Sequence, residues 1–376
     1  MYSYQYDLVK EEAIYIAGPE CFYTRGFEML NAMRRYAESK GFQVTLPNDN
    51  KLDLENPDLQ KRADSIMADL AEDMNHTTVI ISDLEMYRGS EADSGTVFEI
   101  GMAYAKGARC YGYTRDKRSL AAKSQGAMLL DGIPYDENGR KMPYPELPFS
   151  PDIIGSTKII EGDFYACLNT LEVDLEEEQK SKAVRKPVGK TVDYAESKPV
   201  TEQKHPLIFL SGFERYEANG FETLEKMKKL CMHYGFHAVS PLDTAGYGEI
   251  MQAENEYLKA ACLFQNIQHH VRNCDIVIAN LNNYRGYEVN NDVAFECGMG
   301  YQLGKKLYGY MDDTRPLIEK IPHLGEQKEY RDHTGSNVEN FNYPVNLMFS
   351  CNMKIFMGKF EEIIAQAAKD YINMEV

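Results

Sequence analysis

Glu99 is the residue in this chain best placed for covalent chemistry. A glutamate carboxylate set in a crevice can attack the anomeric carbon of a sugar and hold it as a glycosyl ester. Asp93 lies six residues earlier and could hold a sugar hydroxyl. Asp69, on the preceding helix, could protonate a leaving group. The competing reading is structural: Thr96-Val97-Phe98-Glu99 fits a capping box, in which the glutamate only satisfies a helix start. The chain carries its own comparison. The segment Tyr87–Tyr113 returns as Tyr284–Tyr310 at a constant offset of 197, with 13 of 27 positions identical. In the second copy Val293 takes the threonine position while Glu296 is kept, which weakens the capping reading. The pair Gly95-Thr96 suits close backbone approach at a helix start.

The elements that must position these residues also come twice. The apolar runs Ala13–Pro19 and Leu207–Phe213, each leading into a loop, read as buried strands bounded by glycine. The amphipathic stretches Phe27–Lys40 and Phe221–His233 follow. Second strands run from Phe42 and Phe236 and stop at Pro47 and Pro241. A helix precedes a third strand, Val79–Ile81 or Ile276–Ile278. The glutamate segment and Tyr111-Gly112-Tyr113 or Tyr308-Gly309-Tyr310 complete each half. Strands alternating with helices imply an α/β fold with a parallel sheet covered on both faces, and loops converging on a crevice at the strands' carboxyl ends. The expected organisation is a domain over 1–175, a charged linker over 176–204 with some helix near its start, and a second domain over 205–376.

Composition narrows the classes. A chain of 376 residues suits two domains. A net charge of −17 argues against nucleic acid as a partner but not against a free base or nucleoside. No apolar run approaches the ~20 residues of a membrane span. Met1–Glu12 is polar and tyrosine-rich, without the apolar core of a secretion signal. Eight scattered cysteines read as buried thiols in a reducing compartment, so the expected location is the cytoplasm. The histidines have no metal-ligand spacing.

Three sets of residues carry a family resemblance. The first is Ile14-Tyr15-Ile16-Ala17-Gly18-Pro19. The second is Tyr87-Arg88-Gly89 followed by Asp93-Ser94-Gly95-Thr96-Val97-Phe98-Glu99-Ile100-Gly101. The third, in the other half, is Arg285-Gly286, Phe295-Glu296-Cys297-Gly298 and Tyr343-Pro344-Val345-Asn346-Leu347-Met348. Each half resembles the nucleoside 2-deoxyribosyltransferase family, most closely its trypanosomal-type branch. The resemblance implies two flavodoxin-like domains packed as an internal pseudo-dimer, with further homo-oligomerisation open. It implies transfer of 2-deoxyribose between nucleobases by double displacement, with deoxynucleosides and free bases as partners and no metal or organic cofactor. By position, Glu99 becomes the nucleophile, Tyr15 orients it, and Asp69 and Asp93 serve recognition and proton transfer. Gly18, Pro19, Phe22, Asp49, Gly95 and Asn346 make up the substrate-binding set.

The halves diverge in a complementary way. The family's Pro-x-Asn segment, which reaches into a neighbour's site, is Pro344-Val345-Asn346 in one half but Pro148-Phe149-Ser150 in the other. Tyr15, Asp69, Asp93 and Glu99 correspond to Phe209, Asn266, Asn290 and Glu296. One site is therefore expected to combine the first four with Asn346 and to be catalytic. The other is expected to be inactive or a regulatory nucleoside site. Hydrolysis of the glycosyl ester by water is the alternative reaction, and a nucleoside sensor is the non-enzyme alternative. Glu20, in the first loop, is expected to repel a 5′-phosphate, which favours nucleosides over nucleotides.

Overall fold

The computed structural model describes residues 11–47, 49, 52–124, 126–142, 144–184, 205–243, 247–252, 255–325 and 329–372. The N-terminal half runs β1 (Ala13–Ala17), α1 (Gly26–Ser39), β2 (Gln43–Thr45), α2 (Leu59–His76), β3 (Val79–Asp83), α3 (Ser94–Lys106), β4 (Arg109–Thr114), α4 (Pro151–Ser156), β5 (Lys158–Glu161) and α5 (Phe164–Val184). All pairings among these strands are parallel, in the order β2-β1-β3-β4-β5. That is the flavodoxin-like order, whose switch point between β1 and β3 opens a crevice at the strands' carboxyl ends. β1 and β3 are apolar and buried on both faces, as central strands of a covered sheet must be.

The C-terminal half repeats this plan with β6 (Leu207–Ser211), α6 (Gly220–His233), β7 (His237–Val239), α7 (Glu256–Asn273), β8 (Ile276–Asn280), α8 (Asn291–Gln302), β9 (Lys306–Met311), α9 (Leu347–Ser350), β10 (Lys354–Met357) and α10 (Phe360–Ile372). Its sheet has the order β7-β6-β8-β9-β10. The fifth strands escape sequence reading because Lys158-Ile159-Ile160-Glu161 and its counterpart have only a short apolar centre. The apolar stripe of α5 carries Phe164, Cys167, Leu168 and Leu171 into the core. The helix continues to Val184, nine residues beyond the expected domain end at 175. The rest of the expected linker, 185–204, lies outside the described residues.

The two halves share one central core, built from α2, α3, α7 and α8 and the sheet faces beneath them. α3 crosses α8 at glycines. A Cβ on Gly298 would stand 1.9 Å from the Phe98 carbonyl oxygen, and one on Gly101 2.2 Å from that of Phe295. These pairs exchange under the 197-residue offset, so the crossing lies on a pseudo-twofold axis. Gly89 bridges Gly286 on the same axis. Beside it, Ser90 N–H donates to Arg285 O (2.9 Å) and Tyr287 N–H to Arg88 O (3.0 Å). Among the described residues, no helix is long and apolar enough to cross a membrane.

Candidate active site

The loop after β3 ends at Asp93, which caps α3. Its Oδ2 accepts from Thr96 N–H and from Thr96 Oγ1–H, both at 2.7 Å. The cap is therefore Asp93, and the capping-box reading of Thr96 and Glu99 does not hold. Glu99 lies in the second turn, where Tyr15 Oη–H donates to its Oε1 at 3.0 Å. Burial pushes the Glu99 carboxyl well above the ordinary range. The Tyr15 hydrogen bond opposes this shift, while the Asp93 and Glu20 carboxylates add to it. Among the described residues, no basic group forms an ion pair with Glu99.

Glu99 opens onto a cleft of about 730 Å³. Phe22, Leu54, Leu59, Ile66 and Leu70 form its apolar wall in the N-terminal half. The C-terminal half closes the other side with Tyr330, Asn337–Phe341 and Asn346–Met348. The structure thus brings Gly18, Phe22, Asp93, Gly95, Glu99 and Asn346 to one cavity, with Tyr15 beneath. Asn346 caps α9 by accepting from Met348 N–H (2.9 Å). A Cβ at Gly95 would come within 2.8 Å of its Nδ2, so glycine there lets the partner half approach.

Pro19, Asp49 and Asp69 do not line the cavity. Asp49 is engaged locally, accepting from Leu46 N–H (2.8 Å) and pairing with Arg34. Asp69 is buried on α2 beside the lining positions Ile66 and Leu70. One turn further along, burial and the neighbouring Asp69 push Asp73 up to about 6. Glu20 does not face the cavity and is not placed to repel a 5′-phosphate. Its carboxyl turns away from the cavity, accepts from Tyr113 Oη–H (2.8 Å) and adjoins Asp83; burial and that neighbour push it up to about 8. Glu214 is buried in the same way under the other half's loop, accepting from Tyr310 Oη–H (2.6 Å), so this glutamate serves the fold.

Sequence reading missed Glu339, Arg62 and the segment Asn337–Phe341. Glu339 had a signal: the register Pro148↔Pro344 sets it opposite Pro143, one more acid carried on only one side.

Among the described residues, the pseudo-equivalent site is filled. About 20 Å³ remains between Ser150, Tyr216 and Asn290. Glu296 is fully buried and ion-paired with Arg215 at 2.8 Å, and Ser211 Oγ–H donates to it. Asp292 stands where the first site has Gly95, and its carboxylate takes the Tyr216 hydroxyl and the Asp152 N–H (3.0 Å). Phe209 stacks near His270, and Asn266 donates to Cys262 O (2.9 Å) on its own helix.

A family profile described as Nucleoside 2-deoxyribosyltransferase matches residues 14–149 and again 208–348. No curated protein matches the chain. Among solved structures, a 2-desoxiribosyltransferase from Leishmania mexicana is 26% identical, with 44% of this chain and 97% of that one covered and a TM-score of 0.34. The catalytic subunit of cobaltochelatase from Mycobacterium tuberculosis is 12% identical over 82% of this chain and 22% of that one, with a TM-score of 0.20.

Proposed function

Because the chain belongs to the nucleoside 2-deoxyribosyltransferase family, we propose that it moves 2-deoxyribose from one nucleobase to another at the Glu99 cleft. A Glu99 oxygen bonds to the anomeric carbon as the N-glycosidic bond breaks, and the base departs with the bonding pair and takes up a proton. A ring nitrogen of a second base then attacks the same carbon and releases Glu99. The observation that carries this reading is the contrast between the two glutamates. Among the described residues, Glu296 is neutralised by Arg215 in a filled site, whereas Glu99 faces an open cavity with no basic partner. An uncompensated carboxylate stabilises the positive charge that develops on the sugar ring in the transition state.

Tyr15 fixes the Glu99 rotamer and favours its ionised form, the nucleophilic one. Asn346 completes the cavity from the other half. The apolar wall with Phe22 suits a flat base, and the acidic end at Asp93 suits the sugar. The family resemblance points to Asp69 as the acid for the departing base, and its side chain lies on α2 behind the lining positions Ile66 and Leu70.

The test is to incubate the protein with deoxyinosine or thymidine, with and without free adenine, and to separate the products by chromatography. New deoxyadenosine is the expected result. Free base released without an acceptor marks hydrolysis, and no turnover of any nucleoside overturns the reading.

A further inference from the structure

Around the pseudo-twofold axis each half builds a similar buried frame, an arginine paired with an aspartate of the other half and a glutamate beside it. Arg88 donates from Nε to Asp332 Oδ2 (2.8 Å), and Ser94 donates to Glu288. Arg285 donates from Nε to Asp136 Oδ2 (3.2 Å) and from Nη1 to Glu91 Oε1 (3.3 Å). Because the frame recurs beside the filled site, it is explained by packing of the halves. Two acids next to it do not recur. Asp93 is matched by Asn290, and Glu339 by Pro143. They reach the open cavity from opposite halves.

Both acids are more than nine-tenths buried, at 3% and 7% exposure. Among the described residues, each also has one carboxylate oxygen in use and one without a partner. Asp93 Oδ2 caps α3 while Oδ1 is unpartnered. Glu339 Oε1 accepts weakly from Leu347 N–H (3.5 Å) while Oε2 is unpartnered. Buried carboxyl oxygens are costly to leave unsatisfied, so this pair is built for a group that arrives with the ligand.

Burial, reinforced by Asp93 and Glu288 and opposed by Arg88, pushes Glu339 up to about 8. At neutral pH it can therefore donate a hydrogen bond as well as accept one.

Resting on the deoxyribosyl-transfer reading, we propose that Glu339 is a ligand-contacting specificity residue lent by the C-terminal half, which with Asp93 clamps a hydroxyl of the sugar. The carboxyl pair takes the hydroxyl's proton and offers one back, so a hydroxyl satisfies both free oxygens where a hydrogen or a phosphate does not.

The test compares kcat/KM for 2′-deoxyadenosine, 2′,3′-dideoxyadenosine and 2′,5′-dideoxyadenosine in the wild-type chain, Glu339→Ala and Glu339→Gln. The wild-type chain is expected to lose roughly 10- to 100-fold on whichever analogue lacks the clamped hydroxyl. Glu339→Ala should erase most of that penalty by weakening the parent substrate alone, with Glu339→Gln intermediate. If Glu339→Ala does not fold by circular dichroism, the near-isosteric Glu339→Gln is read in the same comparison. Equal losses on all three substrates overturn the proposal and leave the transfer reading standing. Failure of the wild-type chain on every nucleoside overturns both.

Discussion

Removing Glu296 should damage the fold and spare the reaction, while removing Glu99 should do the reverse. Arg215 is 4% exposed and Glu296 fully buried, at an N–O distance of 2.8 Å. Glu296→Ala strands the guanidinium in the interior, and breaking a buried pair from one side costs about 3–5 kcal/mol. Arg215 keeps its Nε bond to Gly212 O (2.8 Å) and has Asp292 nearby, which places the expected loss at the lower end, about 3 kcal/mol. That is a large share of a stability of about 5–15 kcal/mol. The double variant Arg215→Met, Glu296→Ala removes both charges and should regain most of the loss. In Glu99→Gln no cation is stranded. The Glu99 pKa is raised in the folded state, so its ionisation costs stability as pH rises above the ordinary carboxylate range. The amide should therefore be no less stable than the wild-type chain at neutral pH, and inactive. Urea unfolding followed by far-UV circular dichroism suits a chain without tryptophan, with base exchange measured on the same samples. The reasoning is refuted if Glu296→Ala keeps its urea midpoint, or if it loses half the activity and Glu99→Gln loses only the other half.

Two further substitutions probe the site and its scaffold. The acid limb of kcat/KM should lie above the ordinary carboxylate range, with activity rising as Glu99 loses its proton. Tyr15→Phe should move that limb to higher pH and lower the rate roughly 10- to 100-fold, read from pH–rate profiles. Gly298→Ala sets a methyl group 1.9 Å from the Phe98 carbonyl oxygen, so α3 and α8 must separate. A loss of more than about 2 kcal/mol is expected by thermal unfolding, with activity falling as the two halves part.

Fold and duplication were legible because parallel strands buried on both faces are near-continuous apolar runs, and the sequence repeats them. Val79–Ile81 and Ile276–Ile278 could hardly be read otherwise. Much of the candidate site was legible from the same repeat, since Glu99, Asp93, Tyr15 and Asn346 differ in company from Glu296, Asn290, Phe209 and Ser150. What escaped depended on side-chain direction. Glu20 and Asp49 sit in crevice loops by sequence, but their carboxylates satisfy local backbone or hydroxyl donors. Asp69 and Asp73 share a helix with the cavity wall, and only the rotation of α2 decides which positions face the cavity. The filling of the second site rests on Arg215 and Asp292, whose effect appears only when their register positions, Cys21 and Gly95, are superposed in space. Glu339 lies in a segment without periodicity.

The central claim is that a single glutamate of the two carries the sugar. A 2-fluoro-2-deoxyribosyl nucleoside slows release of the glycosyl ester by destabilising positive charge on the ring, which allows the intermediate to be trapped. Intact-mass measurement after incubation should show one fluorodeoxyribosyl group per chain, and peptide mapping should place it on Glu99. Two groups per chain, a label on Glu296, or exchange of bases with no label on either glutamate would contradict the claim.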